Sequence, residues 1–360
     1  MGTKSRVGQP VMGLTRRYVL ELSIGIVLAI LAAVINGNFT LPLKRSRNWA
    51  WENSWALYSL VAFWIVPWGL ALFTVPELFR SYSSLSTAQL IPPLLLGAGW
   101  GISQVLLGVS VARVGMALTF AIVIGLSACL GTLIPLLALH RDVFFSVKGM
   151  TVLVGMMIML AGIYLCAKAG REREQIQPSE VSAASQKKGD NSHFGMAIMI
   201  TIAAGVLTPM LNFALAFGEP ILKRAVERGG ASPANATYAV WVIALLGGLP
   251  VNLLYCVYLL NRNKTWPAFL SPSYDWVGAV LMGLMWMGSI ALYGVATTYL
   301  GPSGAAIGWG LFSIFVILAA NTSGLVMGEW KGVGFRSLRN LGFGLALLAV
   351  ASTVIAWGNA

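Results

Sequence analysis

Ten long apolar runs dominate this sequence, and their length limits what the chain can fold into. They cover about 18–41, 54–75, 88–111, 115–139, 149–168, 195–217, 237–260, 276–298, 302–326 and 337–358. A run of about 20 apolar residues crosses the hydrocarbon core of a bilayer as a helix. Inside that core a helix satisfies its own backbone hydrogen bonds. We therefore predict an all-α membrane protein with ten transmembrane helices.

The composition agrees with this prediction and excludes a soluble enzyme. The chain is 57% hydrophobic and only 10% charged, whereas soluble domains average about 25% charged residues. The net charge of +12 comes from Lys and Arg at the ends of apolar runs, where they meet anionic lipid headgroups. We expect membrane lipid to be the partner of these cations, and no nucleic acid.

Polar segments divide the chain into two halves of five spans. A basic N-terminal extension covers 1–17, and a polar connector covers 169–194. The first five-helix repeat then occupies 18–168 and the second 195–360. Because five is odd, the second half must enter the membrane upside down relative to the first. The sequence thus predicts a 5+5 inverted-topology repeat, in which a substrate site lies between the halves.

Matching residues at a constant offset support the repeat. Three pairs are each separated by 186 positions: Trp100 and Trp286, Gly115 and Gly301, and Trp55 and Trp241. Several matches at one offset indicate an internal repeat. The orientation of the N-terminus stays open, because Lys and Arg are distributed across both faces.

Sequence signatures of catalysis are missing. The chain has no Gly-x-Ser-x-Gly, His-Glu-x-x-His, Cys-x-x-Cys or P-loop motif, each of which carries a known mechanism. Its three cysteines lie inside apolar runs at spacings that match no metal site. We predict a protein that is not an enzyme and that holds no metal ion and no cofactor.

Uncharged amides and aromatic rings are the informative residues of the spans. Six amides interrupt apolar helices: Asn36, Asn38, Gln104, Asn212, Asn252 and Asn321. Each needs a partner in lipid, and hydrogen bonding between helices is the simple explanation for any single one. Together with Trp100, Trp286, Tyr293 and Trp309 they favour a polar chamber lined by rings. Such a chamber suits a small neutral sugar, whose hydroxyls pair with amides while rings pack on its apolar face.

Proton coupling needs an ionisable group, and the sequence offers only carboxylates near span ends. The candidates are Glu21, Glu52 and Glu329. Glu21 is about nine residues from the middle of its helix, or roughly 13 Å. Glu52 begins the second span, where a carboxylate favours the helix N-terminus. Glu329 follows the ninth span, with Lys331 and Arg336 near it as cations. None of the three is an obvious proton carrier.

Several strings resemble the L-rhamnose–proton symporter family of the drug/metabolite transporter superfamily. They are Asn36-Gly37-Asn38-Phe39, Trp49-x-Trp51-Glu52, Gly97-Ala98-x-Trp100-Gly101-Ile102, Gly131-Thr132-Leu133, Gly283-Leu284-Met285-Trp286, Ile307-x-Trp309 and Glu329-Trp330. The resemblance implies a ten-helix transporter of the bacterial inner membrane that imports L-rhamnose with protons. Position 104 is Gln where the family commonly has Asn.

Two other functions remain open from the sequence. One is a metabolite or drug exporter of the same fold, which would have a wider and more apolar cavity. The other is a membrane sensor or scaffold, which needs no central chamber. Convergence of the amides and tryptophans near mid-membrane would favour the sugar carrier.

Overall fold

The computed structural model describes residues 9–46, 48–176, 194–270 and 274–359, and this part of the chain is helical without strands. Ten helices in it are long and apolar enough to cross a membrane, which confirms the predicted number of spans. We label them α1 (Leu20–Leu43), α2 (Trp51–Thr74), α3 (Thr87–Val114), α4 (Met116–Leu139), α5 (Val147–Ile176), α6 (Gly195–Glu227), α7 (Thr237–Asn263), α8 (Tyr274–Tyr299), α9 (Gly304–Val326) and α10 (Phe335–Gly358). Short helices occupy Leu78–Ser83, Arg141–Phe144 and Trp266–Leu270.

The first helix starts before the apolar run that predicts it. Its regular part covers Gln9–Asn38, and a 3₁₀ turn at Leu41–Arg45 follows. Of the predicted extension 1–17, residues 1–8 lie outside the described part of the chain.

Prolines explain the interruptions in α2 and α6. The middle of α2 is a π-helical turn at Val61–Ile65, in which the Val66 N–H bonds the Val61 carbonyl. Pro67 follows directly; a proline has no N–H and its ring crowds the carbonyl four residues earlier, so a widened turn relieves the clash. In α6, Pro209 separates the helices Phe194–Leu207 and Met210–Ala216.

Helices α5 and α10 pack together in opposite directions, and glycines set their separation. A methyl group added to Gly155 would lie 2.5 Å from the Ile355 side chain, and one on Gly162 would lie 3.0 Å from the Gly344 carbonyl oxygen. Later residues of α5 therefore contact earlier residues of α10. Such close backbone approach replaces the hydrophobic driving force that lipid cannot supply.

Helices α2 and α7 also run antiparallel. The Asn263 side chain at the end of α7 donates a hydrogen bond to Glu52 at the start of α2. Further inside both helices, the Trp55 indole N–H donates to the Asn252 side-chain oxygen. Elsewhere in the bundle, α1 packs on α8 and α9, and α6 packs on α3 and α4. Two apolar cores result, one centred on α2, α6, α7 and α8 and the other on α4, α5, α9 and α10.

The predicted polar connector 169–194 begins as helix, because α5 continues to Ile176. Its charged residues bind other helices: Glu174 accepts a hydrogen bond from the Ala117 N–H at the start of α4 (2.9 Å), and Glu172 accepts one from the Ser337 hydroxyl in α10. A carboxylate at a helix N-terminus satisfies an otherwise unpaired N–H and opposes the helix dipole. Residues 177–193 lie outside the described part.

On the opposite face, the segment between α2 and α3 is tied to α7. The Tyr82 hydroxyl donates to the Ala239 carbonyl at 2.8 Å, and burial raises the pKa of Tyr82 well above its ordinary value. The hydroxyl therefore keeps its proton, and this hydrogen bond, throughout the physiological pH range.

Candidate functional site

Two tryptophans from different halves of the chain stack on each other in the middle of the bundle. The rings of Trp100, near the centre of α3, and Trp286, near the centre of α8, lie 5.2 Å apart at an interplanar angle of 26°. Phe63 of α2 points an edge at both indoles, at 5.1 and 5.2 Å. Both indoles are almost completely buried. The 186-residue offset thus pairs two side chains that meet in space.

Glycines allow the stack to form, because they bring neighbouring backbones close. A methyl group on Gly97 would lie 1.7 Å from the Ala244 carbonyl oxygen of α7, and one on Gly283 would lie 2.6 Å from Val61 of α2. No side chain fits at either glycine without moving a helix. Each glycine lies three residues before a stacked tryptophan on the same helix. The close contacts at the glycines therefore fix the positions of both indoles along the helix axes.

Further rings extend this cluster along α2. Tyr58 lies edge-on to Trp286 at 6.2 Å, and Phe39 from the end of α1 stacks on Tyr58 at 5.7 Å. Trp55 is tilted against Tyr58 at 4.7 Å and stacks on Trp51 at 4.9 Å. The aromatic cluster therefore joins α1, α2, α3 and α8, which come from both halves of the chain.

Three of the predicted amides lie near this cluster and keep hydrogen-bonding capacity. Asn36 Nδ2 donates to Ser289 Oγ at 2.7 Å, and Ser289 in turn donates to the Trp286 carbonyl. Asn38 Nδ2 bonds only the Val34 carbonyl of its own helix, and its Oδ1 is buried without a partner. Gln104, one turn after Trp100, makes a single bond of 3.3 Å to the adjacent Ser103. Each of the three can still bond a polar ligand.

Asn212 uses its whole side chain to join helices. Its Nδ2 donates to the carbonyls of Gly131 (3.1 Å, α4) and Ala305 (3.0 Å, α9). Its Oδ1 accepts from the Tyr293 hydroxyl of α8 at 2.7 Å. Both N–H groups and the oxygen are thus engaged in a fully buried position just after the Pro209 break. We call Asn212, Tyr293 and these two carbonyls the Asn212 node.

Trp309 and Asn252 are held in a similar way. The Trp309 indole N–H donates to the carbonyl and hydroxyl of Ser127 at 3.1 and 3.2 Å, and its ring lies 5.6 Å from Tyr293. Asn252 accepts the Trp55 indole N–H at 3.2 Å and donates to the Gly248 carbonyl at 3.0 Å. Asn321 donates to the Ile317 carbonyl of its own helix. These contacts are helix-to-helix or local bonds within the bundle.

The three candidate carboxylates differ in their surroundings. Glu52 is 4% exposed, and its Oε1 accepts from Asn263 Nδ2 (2.9 Å) and Thr265 Oγ1 (2.8 Å). Glu329 forms an ion pair with Arg173 at 3.1 Å, and the Arg173 guanidinium also lies over the Trp330 ring. Glu21 is partly exposed near the start of α1. Of these three, Glu52 alone is buried, and it forms no ion pair within the described residues.

The structure therefore divides the predicted site residues by how far their hydrogen bonds are used. Trp100, Trp286, Asn36, Asn38 and Gln104 lie in or beside the aromatic cluster. Asn252 also contacts this cluster through Trp55, but its hydrogen bonds, like those of Asn212, Tyr293 and Trp309, are made to other parts of the bundle. Sequence reasoning missed Phe63 and Tyr58. The available signal for Phe63 was Pro67 four residues later, which predicts a distorted turn in α2.

Comparison with known proteins identifies the family. The family model described as L-rhamnose-proton symport protein (RhaT) matches residues 18–360. Proteins named L-rhamnose-proton symporter from Citrobacter koseri, Shigella dysenteriae serotype 1 and Escherichia coli O1:K1 are each 27% identical to this chain, over 94% of its length and 98% of theirs. The family is one of transporters and not of enzymes. Since the match covers nearly the whole chain, the protein belongs to the L-rhamnose-proton symport protein family.

Proposed function

We propose that this protein imports L-rhamnose together with protons across the bacterial inner membrane. The observation that carries the proposal is the stacked Trp100–Trp286 pair, which lies mid-bundle with uncommitted amides beside it. The relatives support it, because their printed names assign that substrate and that coupling ion. The ten apolar helices agree with a multi-pass inner-membrane carrier.

The chain is built, in this proposal, from two inverted repeats, 18–168 and 195–360, as in the drug/metabolite transporter superfamily. Helix contacts support the symmetry. Equivalent helices five apart run antiparallel where they touch, as α2 does with α7 and α5 with α10. The packing of α1 on α8 and α9 also has its counterpart in the packing of α6 on α3 and α4. Rocking of one repeat against the other would then expose the central site to each face in turn.

L-Rhamnose binds, in this proposal, between the two indoles. The stacked rings separate in the loaded carrier and pack on the apolar faces of the sugar, which recovers the ring contact that separation loses. Asn36, Asn38 and Gln104 bond the sugar hydroxyls, since these partly buried amides of the site keep free donors or acceptors. The Asn212 node, Asn252 and Trp309 hold the helices that carry the site.

Glu52 is the proton carrier that the surroundings favour. A buried carboxylate without a cation is costly, by several kcal/mol in general, and protonation removes that charge. Its Oε2 makes no hydrogen bond within the described residues, whereas Oε1 is held by the end of α7. Loading a proton on Oε2 therefore changes a contact between the two halves. Glu329 is neutralised by Arg173, which makes it a weaker candidate.

Uptake of labelled L-rhamnose into membrane vesicles tests the function directly. We expect accumulation when the outside is made acidic, and loss of accumulation when an ionophore collapses the gradient. Uptake that does not depend on the pH gradient would contradict proton coupling but not sugar transport. An exporter would instead produce drug or metabolite resistance in cells and no L-rhamnose uptake, and that result would overturn the proposal.

A further inference from the structure

Phe63 belongs to the aromatic cluster but is not one of the predicted site residues. It is 1% exposed and lies at the centre of α2, with its edge towards both stacked indoles at 5.1 and 5.2 Å. The two interplanar angles are 76° and 69°. A single phenyl ring therefore closes one side of the stack.

The backbone around Phe63 explains why the ring is held there. Phe63 is the middle residue of the π turn Val61–Ile65, and it is the residue four positions before Pro67. The proline prevents a regular α-helical bond at this level, and the wider turn carries the ring. π-Helical turns inside α-helices are frequent at functional sites. Val61, at the start of the same turn, contacts Gly283 of α8 closely, which fixes the turn against the helix of Trp286.

Aromatic rings pack against the Phe63 ring on the sides given by its neighbours. Trp100 and Trp286 meet it with their ring systems, and Tyr58 lies edge-on at 5.4 Å. The uncommitted amide Gln104 and the Asn36–Ser289 pair are placed on other helices, one turn or nearly so from the indoles. A ligand between the indoles thus has hydrogen-bonding groups within reach on other helices, whereas the Phe63 ring itself offers none.

We propose that Phe63 is the specificity-determining residue that contacts the C6 methyl group of a 6-deoxyhexose bound between Trp100 and Trp286. This inference rests on the proposed function and names the substrate class of the same site. L-Rhamnose carries one methyl group among its hydroxyls, so its most apolar substituent matches the Phe63 ring, which has no polar atoms. A hydroxyl at that place would lose its hydrogen bonds to water and find no replacement.

Three sugars that differ only at C6 make the proposal measurable. L-Mannose has a hydroxyl on C6 where L-rhamnose has a methyl hydrogen, and L-lyxose lacks C6 altogether. Apolar pockets discriminate single groups of this size by about 10- to 100-fold. We expect L-mannose and L-lyxose to inhibit uptake of labelled L-rhamnose with inhibition constants higher than the KM of L-rhamnose by about that factor. Equal competition by all three sugars in the unaltered protein would overturn the proposal.

Two variants of Phe63 sharpen the test. Phe63→Leu removes the flat ring, and we expect the KM for L-rhamnose to rise about 10-fold while the inhibition constant of L-lyxose changes by less than about 2-fold. Phe63→Tyr brings a hydroxyl to the wall, and we expect it to lower the preference for L-rhamnose over L-mannose. Phe73→Leu is the matched control, because Phe73 lies on the same helix but is 91% exposed; its sugar preference should stay unchanged.

The possible results distinguish a failure of this inference from a failure of the proposed function. If the unaltered protein takes up no L-rhamnose, the proposed function is wrong. If uptake is normal but Phe63→Leu weakens all three sugars by the same factor, Phe63 only supports the indoles and the C6 assignment is wrong. Membrane abundance and thermal unfolding of each variant identify a folding defect; should both variants misfold, the sugar competition in the unaltered protein still decides.

Discussion

Two sets of amides lie in this bundle, and they differ in how far their hydrogen bonds are used. Asn212 has every donor and acceptor engaged by α4, α8 and α9. Asn38 and Gln104, near the stacked indoles, have one weak or local bond each, and the Asn38 oxygen is buried without a partner. Asn212 is completely buried, whereas Asn38 and Gln104 are partly exposed, and of these three only Asn212 has no donor or acceptor left for a ligand.

From this difference we infer that Asn38 and Gln104 bind the sugar and that Asn212 stabilises the bundle. An amide whose bonds are all made inside the protein contributes to stability, because breaking any of them leaves a buried polar group unpaired. A buried acceptor that has no partner, as the Asn38 oxygen has none, stays costly until a ligand arrives. Variants of the two sets should therefore fail in different ways, one in transport and the other in folding.

The largest expected effect is the loss of transport in Gln104→Leu. A sugar hydroxyl that loses its partner in the closed site costs about 1–3 kcal/mol, and Gln104 can serve two hydroxyls. We expect L-rhamnose uptake to fall by about 100-fold, with little change in the unfolding temperature. Uptake into vesicles and thermal unfolding in detergent measure the two quantities.

Asn321→Leu is the control for this variant, because Asn321 bonds only its own helix and should retain uptake. If Gln104→Leu instead fails to fold while its transport per folded molecule stays normal, Gln104 belongs to the packing set and the comparison is wrong.

Removing the charge of Glu52 should separate transport from coupling. Glu52→Gln keeps the shape and the acceptor oxygen for Asn263 and Thr265 but cannot carry a proton. In a one-to-one symporter each pH unit across the membrane is worth about 1.4 kcal/mol, or about tenfold accumulation. We expect this accumulation to vanish while exchange of labelled for unlabelled L-rhamnose across the membrane continues.

The matched variant is Glu329→Gln, which breaks the ion pair with Arg173 and should still accumulate sugar. Loss of accumulation in Glu329→Gln together with normal accumulation in Glu52→Gln would mean that Glu329, and not Glu52, carries the proton.

Whether a feature of the fold could be predicted from the sequence depends on whether neighbouring or distant residues determine it. The ten helices follow from runs of 20 or so apolar residues, which is a local property. The Trp100–Trp286 pair could be predicted because both tryptophans share the 186-position offset of the proposed repeat. The helical state of residues 171–174 is not visible in the sequence, since a charged run after an apolar one resembles a connector. These residues continue α5 and bond α4, α10 and Glu329, which follows α9.

The site could be predicted only in part, for the same reason. Whether an amide is saturated depends on carbonyls from other helices, such as those of Gly131 and Ala305 around Asn212. Nothing in the sequence near Asn212 marks those partners. Phe63 was missed because its position follows from a π turn and from the close contact of Val61 with Gly283, neither of which has a periodic signature.

A stability defect is the effect expected from Asn212→Leu. The substitution leaves the carbonyls of Gly131 and Ala305 without this donor and removes the acceptor of one Tyr293 hydrogen bond. We expect a loss of about 1–3 kcal/mol of stability, measured as a lower unfolding temperature in detergent. Uptake per folded molecule should fall far less than in Gln104→Leu. A variant of normal stability that no longer transports would place Asn212 among the binding amides.

The smallest effect should come from Tyr293→Phe, and it tests the node most selectively. The change deletes one hydroxyl, which donates to Asn212 Oδ1 and also lies 3.1 Å from the Ala305 carbonyl, while the ring keeps its contacts with Trp309 and Phe312. We expect a loss of about 1 kcal/mol. Because Tyr293 and Asn212 share a bond, the double variant should lose less stability than the two single losses added together. Strict additivity would mean that the two side chains act independently, and the node would then be two separate contacts.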